Sequence, residues 1–132
     1  MTYYSTSLLD TSVVIDFPAE AVNEHAATHS ISSVTLAELA YGMHAPDIVE
    51  TSRRQERFVR VRSTFDILPF DEHCAHLYGA LSSLVRKIGR APKPRRMDLL
   101  IAAVAGTNQL PLLTRNPKDF VGLETAVKVI GV

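Results

Sequence analysis

The chain has one cysteine, no tryptophan and no surplus of charge: Lys plus Arg and Asp plus Glu each number 14, a formal net charge of zero. A single thiol, Cys74, cannot close an intramolecular disulfide. Its place beside Ala75 and Leu77 in an amphipathic stretch marks it as packing material. Zero net charge withholds the global basic signature of many nucleic-acid binders, so any such role must rest on local clustering. Long apolar runs are missing too. Acidic, basic or proline residues interrupt every run short of the roughly 18 residues a membrane-spanning helix needs. The first residues, Met1 to Ser7, lack the basic start and apolar core of a secretory signal, so a cytoplasmic location is expected. The five histidines, His25, His29, His44, His73 and His76, show neither the spacing nor the cysteine neighbours of a zinc site. His73 and His76 are expected to face solvent. No internal repeat, low-complexity tract or linker is visible.

What is present fits one domain over residues 1–132, with 46% hydrophobic residues to fill a core. Ser7-Leu8-Leu9 reads as a short buried strand ending at Asp10, with Thr11-Ser12 opening a helix. A helical pattern from Ala19 to Ala27 precedes a second strand at His29–Ser32, and Ser33 is the expected N-cap of a helix over Val34–Met43. A charged helix follows from about Asp47 to Arg62, then a strand around Phe65–Leu68 closed by Pro69. Asp71 is an N-cap candidate for a helix with Ala75, Tyr78, Leu81, Leu84, Val85 and Ile88 on one stripe, ended by Gly89. The helix from about Arg96 to Gly106 is nearly apolar all round and should lie mid-domain. Pro111–Thr114 gives a fourth strand, Asn116-Pro117 a turn into a half-helix through Phe120, and Val127–Ile130 a closing strand. Strands alternating with helices predict an α/β fold: a three-layer α/β/α sandwich on a mainly parallel sheet. Ligands of such sheets bind beyond the carboxyl ends of the strands, where chain order reverses.

The acids fall where that rule directs attention. Asp10 ends the first strand, Asp98 opens an apolar helix, and Asp119 follows the turn after the fourth strand. Glu38 joins them if its helix starts from the same edge. Each has an ordinary explanation on its own: Asp10 and Asp98 as helix caps or dipole partners, Glu38 as a solvent-facing position, Asp119 as a cap of the turn into Phe120. Together they would repel one another unless a divalent cation lay among them. Hard cations such as Mg²⁺ or Mn²⁺ take carboxylate and water oxygens, and a carboxylate site without thiolate or histidine points to phosphodiester hydrolysis. Asp16, Asp66 and Asp71 are assigned to caps or turns. Basic residues cluster twice: Arg86, Lys87, Arg90, Lys93, Arg95 and Arg96 with no acid among them, and Arg53, Arg54, Arg57, Arg60 and Arg62 around Glu56. Such clusters suit either phosphate contact beside the acids or a solvated helix face.

Four segments in this order carry a resemblance to a known family: Leu8 to Asp16, Ile31 to Gly42, Asp98 to Ala103, and Leu112 to Phe120 with its Thr114-Arg115-Asn116-Pro117-Lys118-Asp119 core. They resemble the PIN-domain ribonucleases, and among these the VapC toxins of VapBC toxin–antitoxin pairs. The resemblance implies a Mg²⁺- or Mn²⁺-dependent endoribonuclease in which Asp10, Glu38 and Asp98 match the acids around the metal. Thr11, Ser12 and Thr114 match its polar neighbours. It further implies structured cellular RNA, transfer or ribosomal, as substrate, a VapB-type antitoxin as partner, and a homodimer. Many relatives carry a fourth acid where Asn116 stands; Asn116 or Asp119 is expected to complete the shell, with Asp119 preferred for its charge.

Three other readings compete. A haloacid-dehalogenase-like phosphotransferase would use Asp10 as nucleophile, but its second Asp is replaced by Ser12. A receiver-like signalling domain lacks a suitable lysine after the fourth strand. A catalytically silent PIN-fold binding module has Asn116 as its sequence support.

Overall fold

The computed structural model describes residues 2–132. Five strands, β1 (Tyr4–Leu9), β2 (Ala26–Ser32), β3 (Asp66–Leu68), β4 (Leu112–Thr114) and β5 (Val129–Gly131), form one sheet in the order β3-β2-β1-β4-β5. Every pairing is parallel, so the expected mainly parallel sheet is parallel throughout. The connections run through α1 (Thr11–Ile15), α2 (Ala19–Asn23), α3 (Ser33–Tyr41), α4 (Ile48–Thr64), α5 (Glu72–Lys87) and α6 (Arg96–Thr107).

Successive strand side chains point to opposite faces, and here both faces are covered. Leu8 and Leu112 enter a core shared with α5 and α6, around Leu81, Val85, Leu99 and Ala103. Their neighbours Leu9 and Leu113 enter a second core with Val13, Val22, Ile31 and Val61. Two apolar layers on one sheet make the predicted sandwich. The chain builds outward from β1 through β2 to β3 on one side and places β4 and β5 on the other, so the switch point lies between β1 and β4.

Several boundaries differ from the sequence reading. β2 begins at Ala26, not His29, because α2 stops at Asn23 and Tyr4 N–H donates to His25 O (2.9 Å), starting the β1–β2 ladder early. Ser32, not Ser33, caps α3: its Oγ accepts from Thr35 N–H at 3.0 Å, while Ser33 Oγ accepts from Phe70 N–H. The buried stripe of α5 runs through Cys74, Leu81 and Val85, with Leu77 and Tyr78 against it; Ala75 and Ile88 lie outside. Ile88 follows the last turn, where the chain leaves through Gly89 at φ +82°, a conformation that favours glycine. Cys74 is fully buried, and burial pushes its thiol up from the usual range, as an inert packing residue requires. His73 and His76 are exposed, and among the described residues no helix is long and apolar enough to cross a membrane.

Candidate metal centre

Asp10 follows the last residue of β1, directly at the switch point, and its own backbone N–H bonds Leu113 O on β4 (2.9 Å). It is 94% shielded from solvent (6% exposed) and serves as N-cap of α1, so the cap reading was correct and incomplete. Its Oδ1 accepts from Thr11 N–H at 2.9 Å; its Oδ2 accepts from Ser12 Oγ at 2.9 Å and Thr114 Oγ1 at 2.8 Å. Three donors from β1's exit and β4's end therefore fix the orientation of one carboxylate. With two bonds on Oδ2 and one on Oδ1, the acceptor capacity that remains lies on Oδ1, since a carboxylate offers about four lone-pair sites.

Glu38 is oriented by a directed chain of hydroxyls. Thr11 Oγ1 donates its only proton to Glu38 Oε1 at 2.7 Å. The 2.9 Å contact between Thr11 and Thr35 must then have Thr35 as donor, and Ser32 Oγ donates in turn to Thr35 Oγ1 at 3.4 Å. The route Ser32 to Thr35 to Thr11 to Glu38 ties the end of β2, the first turn of α3 and the first residue of α1 to one carboxylate oxygen. Glu38 can join the site because α3 starts at the carboxyl edge, immediately after β2.

Asp98 stands in the first turn of α6 and is half-buried. Burial, followed by the negative fields of Asp10, Asp119 and Glu38, pushes its carboxyl up to about 6, with only Arg95 acting in the opposite sense. Residues separated by most of the chain thus share one electrostatic field at the sheet's carboxyl edge. Asp119 and Asp98 line a concavity of about 420 Å³ with Arg90 and Arg95 on its rim. Arg95 Nη1 lies 3.7 Å from Asp119 Oδ1 and also donates to the Asp119 carbonyl oxygen at 3.4 Å. Asn116 is exposed; its backbone N–H donates to Thr114 Oγ1 (3.0 Å), so this turn braces the hydroxyl that holds Asp10.

The donor set fits a hard divalent cation of a particular kind. Among the described residues no three acidic, histidine or cysteine side chains form a ready-made metal cage. Carboxylates that share a field without closing a shell suit a cation that binds one or two of them directly and keeps several waters.

The basic residues do not behave as one set. Arg90 and Arg95 reach the acid crevice, whereas Arg86, Lys93 and Arg96 line a separate concavity of about 470 Å³ with Tyr78, Ser82 and Pro92. The other basic run does not flank the acids: Arg53 and Arg54 pair with Glu50, and Arg57 and Arg60 border an apolar concavity with Phe17 and Phe65. Three residues that the sequence reading left unassigned serve the site. Ser32 and Thr35 support Glu38, and Arg115 closes its guanidinium on the Asp16 carbonyl (2.9 and 3.2 Å) and carboxylate (3.1 Å), anchoring the β4 turn to α1. The spacing of Thr35, one turn before Glu38 on the same helix face, was the available signal.

Comparison with known proteins adds an independent line. A family model described as PIN domain matches residues 7–122. The chain is 33% identical over 133 residues to Ribonuclease VapC5 of Mycobacterium tuberculosis, covering 95% of this chain and 93% of that protein. It is 32% identical to the tRNA(fMet)-specific endonuclease VapC of Shigella flexneri, covering 86% and 88%. Among solved structures, the VapBC-5 toxin–antitoxin complex of M. tuberculosis contains a chain that superposes with a TM-score of 0.83 at 32% identity, covering 97% of this chain and 99% of that one.

Proposed function

The chain belongs to the PIN-domain family, and from that membership, together with the geometry of its acids, we infer an endoribonuclease: the toxin of a VapBC-type pair. It is a hydrolase of RNA phosphodiester bonds, and its protein partner is a VapB-type antitoxin. We propose one functional unit over the whole chain, since a single sheet carries both cores. The observation that supports the site assignment is the field of Asp10, Asp119 and Glu38 on the half-buried Asp98, together with the hydroxyls that orient Asp10 and Glu38 at the carboxyl edge of the sheet.

In this reading Asp10, Glu38 and Asp98 hold a divalent ion, Mg²⁺ or Mn²⁺. When bound, such an ion supplies activation of a water nucleophile and neutralisation of charge on the leaving oxygen. The chain's own residues do the rest. Thr11, Ser12 and Thr114 hold the Asp10 carboxylate in one orientation, and the Thr11 hydroxyl does the same for Glu38. Asp119 fixes Arg95 at the rim of the acid crevice, where a guanidinium offers forked donors to an RNA phosphate. Arg90, whose Nη1 donates to the Lys118 carbonyl oxygen (3.0 Å), stands on the same rim. These two cations lower the barrier that four acids raise against a polyanion. Asp119 thus serves the site as Arg95's anchor, and Asn116 through its backbone.

Cleavage of a quenched fluorescent RNA by the purified chain tests the assignment. We expect turnover with added Mg²⁺ or Mn²⁺ and none in excess chelator. Undiminished cleavage in chelator would reject the metal centre, and inertness toward RNA under all metal conditions would favour the silent binding module.

A further inference from the structure

Six cations lie between Arg86 and Arg96, and the fold gives them different employment. Arg95 is paired with Asp119, and Arg90 is bonded to the Lys118 carbonyl. Arg86, Lys93 and Arg96 have neither arrangement: among the described residues none of their side chains makes an ion pair or a hydrogen bond. Yet they converge from three elements, the last turn of α5, the short 3₁₀ turn at Lys93–Arg95 and the first residue of α6, onto one concavity of about 470 Å³. No acid lines it. Tyr78 and Ser82 form its wall on the α5 side, and the Ser82 hydroxyl is engaged with the Tyr78 carbonyl oxygen at 2.9 Å.

Three like charges gathered on a concave surface without a counter-charge are mutually unfavourable, and an anion in the concavity reverses the sign of that interaction. We propose that this concavity is a second phosphate-binding site, distinct from the acid crevice, that grips the RNA backbone away from the bond being cut. It rests on the nuclease reading, because it names where the same substrate continues. The surface between the two concavities is short in sequence: Arg95 faces the acids and Arg96, the next residue, faces the second site. A strand passing from one to the other would be held by Arg90 and Arg95 at the cleavage site and by Arg86, Lys93 and Arg96 beyond it. Recognition of this kind positions the backbone and does not depend on base identity.

The test is binding, kept separate from cleavage. Anisotropy of a fluorescein-labelled single-stranded RNA is followed across salt concentrations in chelator, for the full chain and for the triple variant R86Q/K93Q/R96Q. Each phosphate neutralised on a single strand contributes about −0.7 to the slope of log K against log salt, so the slope should become shallower by about 2. Affinity at physiological salt should fall by about tenfold or more. R86Q alone should give about one third of the slope change, which guards against a folding defect in the triple variant. The melting temperature of the triple variant should be equal or higher, because like-charge repulsion is removed.

An unaltered slope overturns the proposal, as does a wild-type affinity without salt dependence. Loss of inorganic phosphate binding by the triple variant with an unchanged RNA slope also overturns it, in favour of a free-anion site. A change in sedimentation behaviour with an unchanged RNA slope overturns it in favour of an interface between copies. A wild-type chain that cleaves no RNA sinks the nuclease reading, and the slope comparison still decides this one.

Discussion

At neutral pH the folded chain holds Asp98 ionised against burial and three neighbouring acids. The unfolded chain releases that proton near 3.8, the folded chain near 6. Folding therefore favours the protonated form: the stabilising contribution is complete below about 3.8 and is lost as pH rises through about 6. Asp98→Asn removes both the charge and the penalty. At pH 7 in chelator its melting temperature should equal or exceed that of the wild type, while RNA cleavage disappears; scanning fluorimetry and the fluorescent RNA assay read the two. A melting temperature below the wild type, with cleavage retained, would reduce Asp98 to a helix-dipole residue. The sequence identified Asp98 because an acid opening an apolar helix is conspicuous. It could not show the field acting on it, since Asp10 and Glu38 lie far away in the chain.

At the scale of elements, α3 matters most, because its cap and Glu38, the acid proposed to hold the metal, belong to one hydrogen-bonded chain. Ser32 is fully buried, accepts from Thr35 N–H and feeds the hydroxyl relay that ends on Glu38. Ser32→Ala should lower the free energy of unfolding in urea by about 1 kcal/mol, the usual cost of a lost N-cap. It should also weaken the stabilisation that added divalent ion gives, because Glu38 loses its fixed orientation. An unchanged metal response with the expected loss of stability would confine Ser32 to capping. Sequence reading placed the cap one residue late for a simple reason. Ser32 and Ser33 are both good caps, and which hydroxyl turns toward the helix depends on Phe70, whose N–H occupies Ser33. The early start of β2 has the same origin: His25 carries no strand signal, and its carbonyl is recruited by Tyr4 across the sheet.

For the molecule as a whole, a cation at the switch point would link regions that only the folded chain brings together: the exit of β1, the first turns of α3 and α6, and the turn after β4. Ligands that bind only the folded state raise its stability by mass action, by about 2.7 kcal/mol at a hundredfold excess over Kd. Mg²⁺ or Mn²⁺ should therefore raise the melting temperature of the wild type at pH 7, and the shift should shrink in Asp98→Asn. Absence of any shift with either ion, across the concentrations that support cleavage, would place the metal elsewhere. A VapB-type antitoxin should add its own stabilisation by the same relation.

The alternation of short apolar strands with amphipathic helices determined the α/β sandwich, because periodicity is a local property that any folded form must satisfy. The acids at Asp10, Glu38 and Asp98 were equally visible, since each sits at a marked place in its own element. Tertiary structure alone decided how the basic run was divided, with Arg95 turned to Asp119 and Arg86, Lys93 and Arg96 turned away. It also decided that Arg115 clasps Asp16 and that Asp119 acts beside Arg95. These are matters of which side chains meet across the chain, and such meetings depend on the packing of the sheet and its helices, which no short segment encodes.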